Sequence, residues 1–170
     1  NISLGGICIQ RPSIEEVGTD IVNVFATGNN TLNITGIQDF NAVNLGGLAG
    51  IGMQSLNGTI NVTNPNAETT LNLDDSQDAT GRSTSVSDDG TTGTITGLCP
   101  ATINYAIENV RTVNITTGSG NDTATVNSNF VGLSFNDAGG SKILTIDSQR
   151  TKPTVVAGSN CNQIVVSANE

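Results

Sequence analysis

The residues with the best claim to chemistry sit in one acidic stretch, TLNLDDSQDATGR at 70–82. It holds Asp74, Asp75, Asp78 and Arg82, with Asp88 and Asp89 just beyond. Carboxylates packed this closely can supply the oxygen ligands of a calcium ion, or the acid and base of glycoside hydrolysis. Asp75 and Asp78 can equally cap turns through their own backbone, with Arg82 pairing one carboxylate. Turn capping is the plainer reading, and calcium ranks ahead of catalysis. Asp74, Asp75, Asp78 and Arg82 are the candidate ligand-binding residues. Tyr105 joins them, since sugar sites commonly stack a ring and the chain has only one Tyr and four Phe, at 25, 40, 130 and 135.

A second stretch, TGSGNDTAT at 117–125, has the pattern of the calcium-binding nonapeptide GGxGxDxUx. Thr117 replaces the first glycine and Ala124 fills the apolar slot. Glycines let backbone carbonyls approach a hard cation, and Asp122 adds a carboxylate beside Asn121. Asp122 and Asn121 are therefore the calcium candidates. In calcium rolls, however, successive nonapeptides share each ion, and residues 126–134 carry no such pattern. A tight glycine turn is the plainer reading. No cofactor other than calcium is expected.

Other chemistries fall away on composition. The chain has no His, which removes Ser-His-Asp and Cys-His catalysis and makes zinc improbable. A Ser-Lys pair would need Lys142 or Lys152, and neither lies in a motif. Cys8, Cys99 and Cys161 are far apart with no CxxC spacing, so at most one internal disulfide forms, from three pairings among which the sequence does not choose. A formal charge of −9, with six Lys and Arg scattered singly, argues against nucleic acid and anionic membranes. No apolar run is long enough to insert into a membrane. The first residue is Asn, which points to a processed product or a fragment.

The elements that must hold these residues are strands. Only 12% of residues are charged and 3% aromatic, and Asn, Thr, Ser and Gly take their place. These favour strands and turns over helix interiors. A motif recurs: an Asn flanked by two large apolar residues, as in IVNVF, TLNIT, AVNL, TINVT, LNL, INY and TVNIT. Its Asn positions are 23, 33, 44, 61, 72, 104 and 114, at spacings of 10, 11, 17, 11, 32 and 10. Alternation with period two buries the apolar residues and turns the Asn outward. Further strands are expected at 94–96, 130–135, 142–147, 154–156 and 163–167. Residues 1–10 read as an opening strand or cap, 11–20 as a short helix or loop, and 76–93 as the longest polar segment.

Short strands at this spacing fit an antiparallel sandwich or a parallel β-solenoid. The repeated Asn, the scarcity of aromatics and the drifting repeat length favour the solenoid. The expected architecture is thus all-β: one solenoid domain over 1–170, a cap at 1–20 and coils at 21–167. Seven N-x-S/T sequons begin at Asn1, Asn29, Asn33, Asn57, Asn61, Asn114 and Asn121, and an Asn- and Thr-rich chain produces them by chance.

Over residues 20–128 the chain resembles the long secreted repeat proteins of environmental bacteria and some fungi. Asp20-Ile21-Val22-Asn23-Val24 matches their opening, and residues 70–82 their TLNVDDSxDTTGR block. Ile95-Thr96-Gly97-Leu98 and Ile103-Asn104-Tyr105 match its continuation, and residues 113–126 the closing GSGNDT segment. The resemblance implies an extracellular, adhesin-like parallel β-helix. Those proteins string many units together, whereas this chain holds about one, which must cap its own ends. The expected function is a secreted, non-catalytic module binding a glycan or cell-surface ligand. The alternatives are a structural subunit joining end to end through solenoid ends or edge strands, and a polysaccharide-acting enzyme. Ice binding is disfavoured, because T-x-T triplets do not repeat at coil spacing.

Overall fold

The computed structural model describes residues 7–9, 20–36, 40–47, 49–50, 52–65, 67–129, 131–147, 154–157 and 161–166. These form an all-β structure with no α-helix among the described residues. The strands are β1 (Ile7–Ile9), β2 (Asp20–Val24), β3 (Leu32–Gly36), β4 (Phe40–Gly46), β5 (Thr59–Thr63), β6 (Thr69–Asp74), β7 (Ser83–Asp88), β8 (Thr92–Thr96), β9 (Thr102–Ala106), β10 (Val110–Thr117), β11 (Asp122–Val126), β12 (Gly132–Asp137), β13 (Lys142–Ile146), β14 (Thr154–Ala157) and β15 (Cys161–Val166).

The strands belong to two open sheets. A nine-stranded sheet runs β1-β3-β5-β9-β8-β7-β11-β13-β15, and a six-stranded sheet runs β14-β12-β10-β6-β4-β2. The chain passes from one sheet to the other at nearly every step. Neighbours in a sheet therefore come from turns of chain that have crossed the opposite sheet and returned. Returning in the same direction makes them parallel, and the crossover that parallel pairing needs is a strand of the other sheet. All pairings are parallel except β7–β8 and β8–β9.

Alternation decides what faces inward. Leu32 and Ile34, Ile60 and Val62, and Leu71 and Leu73 point into one apolar cluster that spans both sheets. Burying each such side chain stabilises the fold by about 1.5–3 kcal/mol. The intervening Asn side chains face outward and stack in register. On the six-stranded sheet Asn44 donates to Asn23 at 2.8 Å, Asn72 to Asn44 at 2.7 Å and Asn114 to Asn72 at 2.8 Å. On the nine-stranded sheet Asn61 donates to Asn33 at 2.8 Å and Asn104 to Asn61 at 3.0 Å. Each donates one Nδ2 hydrogen to the preceding Oδ1, so a single rotamer propagates along the row.

The meander β7-β8-β9 breaks the regular alternation. It places three strands in one sheet where the other has β10 alone. Apolar volume there comes from connections as well as strands, through Met53, Leu56 and Leu98, all at most 1% exposed. Tyr105 packs beneath the meander, its ring lying where a Cβ on Gly93 would be.

Several expectations change. The polar segment 76–93 contains β7, whose Thr84 and Val86 point inward while Ser83, Ser85 and Ser87 point outward. Strand partners on both sides make up for one apolar residue. The glycine-and-Asp segment 117–125 is a corner only at 118–121, and Asp122 opens β11. The helix-or-loop reading of residues 11–20 and the cap at 1–20 lie outside the described residues, apart from β1 and Asp20. Cys99 is a free, buried thiol. Cys8 in β1 and Cys161 in β15 lie at opposite edges of the nine-stranded sheet. Eight strand spacings separate them by roughly 38 Å, far beyond disulfide reach.

Candidate functional site

The acidic residues gather where the chain turns from the six-stranded sheet into the nine-stranded one. This corner is stacked. Gly118 approaches Asp78 so closely that a Cβ would lie 2.0 Å from its carbonyl oxygen, and on Gly140, at φ +75°, a Cβ would lie 2.3 Å from that of Gly120. Three turns are thereby layered, with Arg82, Asp122 and Lys142 above one another at the start of β7, β11 and β13. Their charges alternate.

Backbone and side-chain contacts staple the layers. Arg82 Nε lies 2.6 Å from Asp78 Oδ2, and Arg82 N–H donates to Asp122 Oδ1 at 2.7 Å. Lys142 Nζ lies 2.8 Å from Asp122 Oδ2 and 3.4 Å from Asp137 Oδ1. Asn121 Oδ1 accepts from Ser141 N at 3.1 Å. Asp78 also caps its own turn, accepting from Thr80 N at 2.9 Å. Burial pushes its carboxyl up, but the Thr80 N–H and Arg82 outweigh burial and hold it below the usual carboxylate range.

Asp75 lies deeper, fully buried. Its Oδ1 accepts from Met53 N at 2.9 Å, and Gln54 Nε2 donates to both oxygens, at 3.0 and 3.1 Å. Desolvation raises its pKa above 3.8 despite these donors. Asp75 thus pins the 52–55 segment to the corner. Asp74 faces outward and accepts from Ser76 N at 3.0 Å, closing a local turn.

Of the sequence candidates, Asp75, Asp78, Arg82, Asn121 and Asp122 come together at this corner, bonded to one another or to adjacent turns. Asp74 stands apart on the outer face. Tyr105 is 2% exposed in the core, so its ring has no face open to a sugar. Asp122 and the carbonyls of Gly118 and Gly120 do converge, but on the Lys142 ammonium, while the Asn121 side chain is taken up by Ser141 N. Among the described residues no group of three or more His, Cys, Asp or Glu is placed to hold a metal ion. Lys142 was not legible as a partner of Asp122, because strands β11 and β13 must first be in register.

Two concavities adjoin these elements. A small, half-open cavity of about 30 Å³, room for a water, borders the corner beside Ala124, Phe135 and Leu144. A shallow groove of about 400 Å³ at the opposite corner is lined by Pro65, Ala67, Glu68, Glu108 and Asn109.

The outer face of the nine-stranded sheet is polar over five of its strands. Five adjacent strands present Thr59, Asn61 and Thr63 (β5), Thr102 and Asn104 (β9), Thr92, Thr94 and Thr96 (β8), Ser83, Ser85 and Ser87 (β7), and Thr123 and Thr125 (β11). With Ala106 at the end of β9, these are hydroxyls and amides with no charge and no ring. Neighbouring rows bond laterally, as between Thr94 Oγ1 and Asn104 Oδ1 at 3.2 Å and between Thr123 Oγ1 and Ser83 Oγ at 3.0 Å. The antiparallel meander makes this face by bringing the T-x-T-x-T of β8 beside the S-x-S-x-S of β7.

No protein-family model, curated protein or solved structure matches the chain.

Proposed function

We propose that the chain is a secreted β-solenoid that acts as a non-catalytic binding module for a neutral glycan or glycan-coated cell surface. The supporting observation is the hydroxyl-and-amide face spanning β5, β9, β8, β7 and β11. Adjacent strands stand about 4.8 Å apart, so five of them span roughly 19 Å, with outward side chains about 6.7 Å apart along each strand. A hydroxyl both donates and accepts, and an amide does both through separate atoms, which suits them to a ligand made of hydroxyls. The absence of Lys and Arg from these positions favours a neutral sugar over an acidic one. Without an aromatic ring, affinity must come from many weak contacts rather than one stacked sugar. The solenoid reading rests on the parallel pairings and on the passage of the chain between two sheets. The secreted location rests on composition and on the repeat resemblance.

Glycan-array binding of the purified chain tests this, paired with Thr94→Lys and Thr125→Glu, which place charge on the face without touching the core. Saturable binding to a neutral glycan, lost in both variants and retained in EDTA, is the expected result. No glycan binding, or binding that both variants keep, would sink the proposal.

A further inference from the structure

The surroundings of Lys142 differ from those of an ordinary ion pair. The residue is 6% exposed, and five oxygens converge on its Nζ. Gly118 O lies at 2.9 Å, Gly120 O at 2.6 Å, Asp122 Oδ2 at 2.8 Å and Asp137 Oδ1 at 3.4 Å, and Gly139 O completes the set. An ammonium has three hydrogens to give. Five oxygens exceed that number, and they surround the nitrogen as ligands surround an ion. Three are backbone carbonyls and two are carboxylates, the donor set of a hard divalent cation. Charge points the same way. Asp122 and Asp137 together carry twice the charge that one ammonium cancels, and both side chains are at most 6% exposed.

We infer that the corner formed by 118–122 and 137–139 is an oxygen cage for a divalent cation, in which Lys142 is the resident, covalently tethered ion. The tether explains why the cage needs nothing from solution: the ammonium arrives whenever β13 pairs with β11 in register, Asp122 opposite Lys142. It also makes the site exchangeable in principle. When the stem is removed the oxygens remain, held by corners that pack backbone to backbone at Gly118 and Gly140. Calcium, which accepts six to eight oxygens at about 2.3–2.6 Å, then fits with water filling its remaining positions.

The test compares unfolding temperatures of the full chain and Lys142→Ala in EDTA and in millimolar calcium chloride. The wild type should not respond. Lys142→Ala should unfold about 6–20 °C lower, since it leaves two buried carboxylates uncompensated. Calcium at roughly a hundred times its dissociation constant should restore about 5–10 °C of that loss. Propylammonium chloride, the excised fragment, should also restore stability, and propanol should not. Adding Asp122→Asn should abolish both rescues. A Lys142→Ala variant that is as stable as the wild type, or that neither cation rescues, overturns the inference. So does an equal calcium shift in the wild type. If Lys142→Ala does not fold under any of these conditions, Lys142→Met decides: it keeps the stem and removes the charge. A wild-type unfolding temperature for Lys142→Met overturns the cage, and a loss of about 10 °C supports it.

Discussion

Replacing Asn72 with Ala tests whether the outward asparagine row holds the six-stranded sheet together. Asn72 is an interior member. Its Nδ2 donates to Asn44 at 2.7 Å and its Oδ1 accepts from Asn114 at 2.8 Å. Alanine removes both bonds and leaves Asn44 and Asn114 each short of one partner that water can reach. At about 0.5–1.5 kcal/mol per net hydrogen bond, with the lower half applying on a half-exposed face, the loss is about 1–2 kcal/mol. Asn23 ends the row and shares one bond, with Asn44. Asn23→Ala should therefore cost about half as much, some 0.5–1 kcal/mol. Both residue types are poor strand formers, so intrinsic preference contributes little to the difference. In thermal unfolding these losses become about 2–8 °C for Asn72 and half that for Asn23, at about 2–4 °C per kcal/mol for a chain this long. The double variant Asn72→Ala/Asn114→Ala loses their shared bond only once. Its cost should fall short of the sum of the single variants by about 0.5–1 kcal/mol. Urea unfolding with unchanged m-values measures the wild type, the three single variants and the double variant. Equal costs for Asn72 and Asn23, or strict additivity in the double variant, would refute the ladder as a source of stability.

Gly93→Ala places a methyl 2.0 Å from Tyr105 Cζ and should destabilise the fold by about 1–3 kcal/mol; shrinking the ring with Tyr105→Val in the same background should recover part of the loss. Asp75 has the opposite pH behaviour to a salt-bridged carboxylate. Its folded pKa is raised above 3.8, so the stability from its protonated form is complete below that pH and is lost as pH rises through the folded value. The unfolding temperature of the wild type should therefore fall relative to Asp75→Asn as pH rises from 3.8 toward neutrality, and the reverse slope would contradict the burial argument. Burial pushes the Cys99 thiol from 9.0 up to about 11. With about a hundredfold less thiolate than an ordinary cysteine, Cys99 should resist thiol reagents at mildly alkaline pH until urea unfolds the chain.

The sequence alone determined the strands and their faces. A residue's side in a strand depends only on parity, so TLNIT or TINVT states which side chains enter the core before any partner is known. Thirteen of the fifteen strands lie where alternation or an apolar run put them. Of the two carboxylates read as turn caps, Asp78 is one, accepting from Thr80 N two residues on, whereas the Asp75 carboxylate bonds Met53 and Gln54 of another turn, a contact that only the packed corners create. β7 escaped because Val86 is its one apolar residue, and β11 because its start coincides with a glycine motif that reads as a turn.

What alternation cannot carry is which strand lies beside which, because pairing depends on the path of the chain in space. The tertiary structure decided that successive Asn residues go to opposite sheets. Asn23, Asn44, Asn72 and Asn114 stack in one row, and Asn33, Asn61 and Asn104 in the other. The interval of 32 between Asn72 and Asn104, an irregularity in the sequence, is the place where β7 and β8 enter as an antiparallel excursion. That excursion creates the hydroxyl face, whose strands come from 59 to 126 and share no periodic spacing. The layering of corners likewise brought Lys142 to Asp122, twenty residues away and on the neighbouring strand. Charges this far apart in sequence interact only once register is set, and register is a property of the packed sheets.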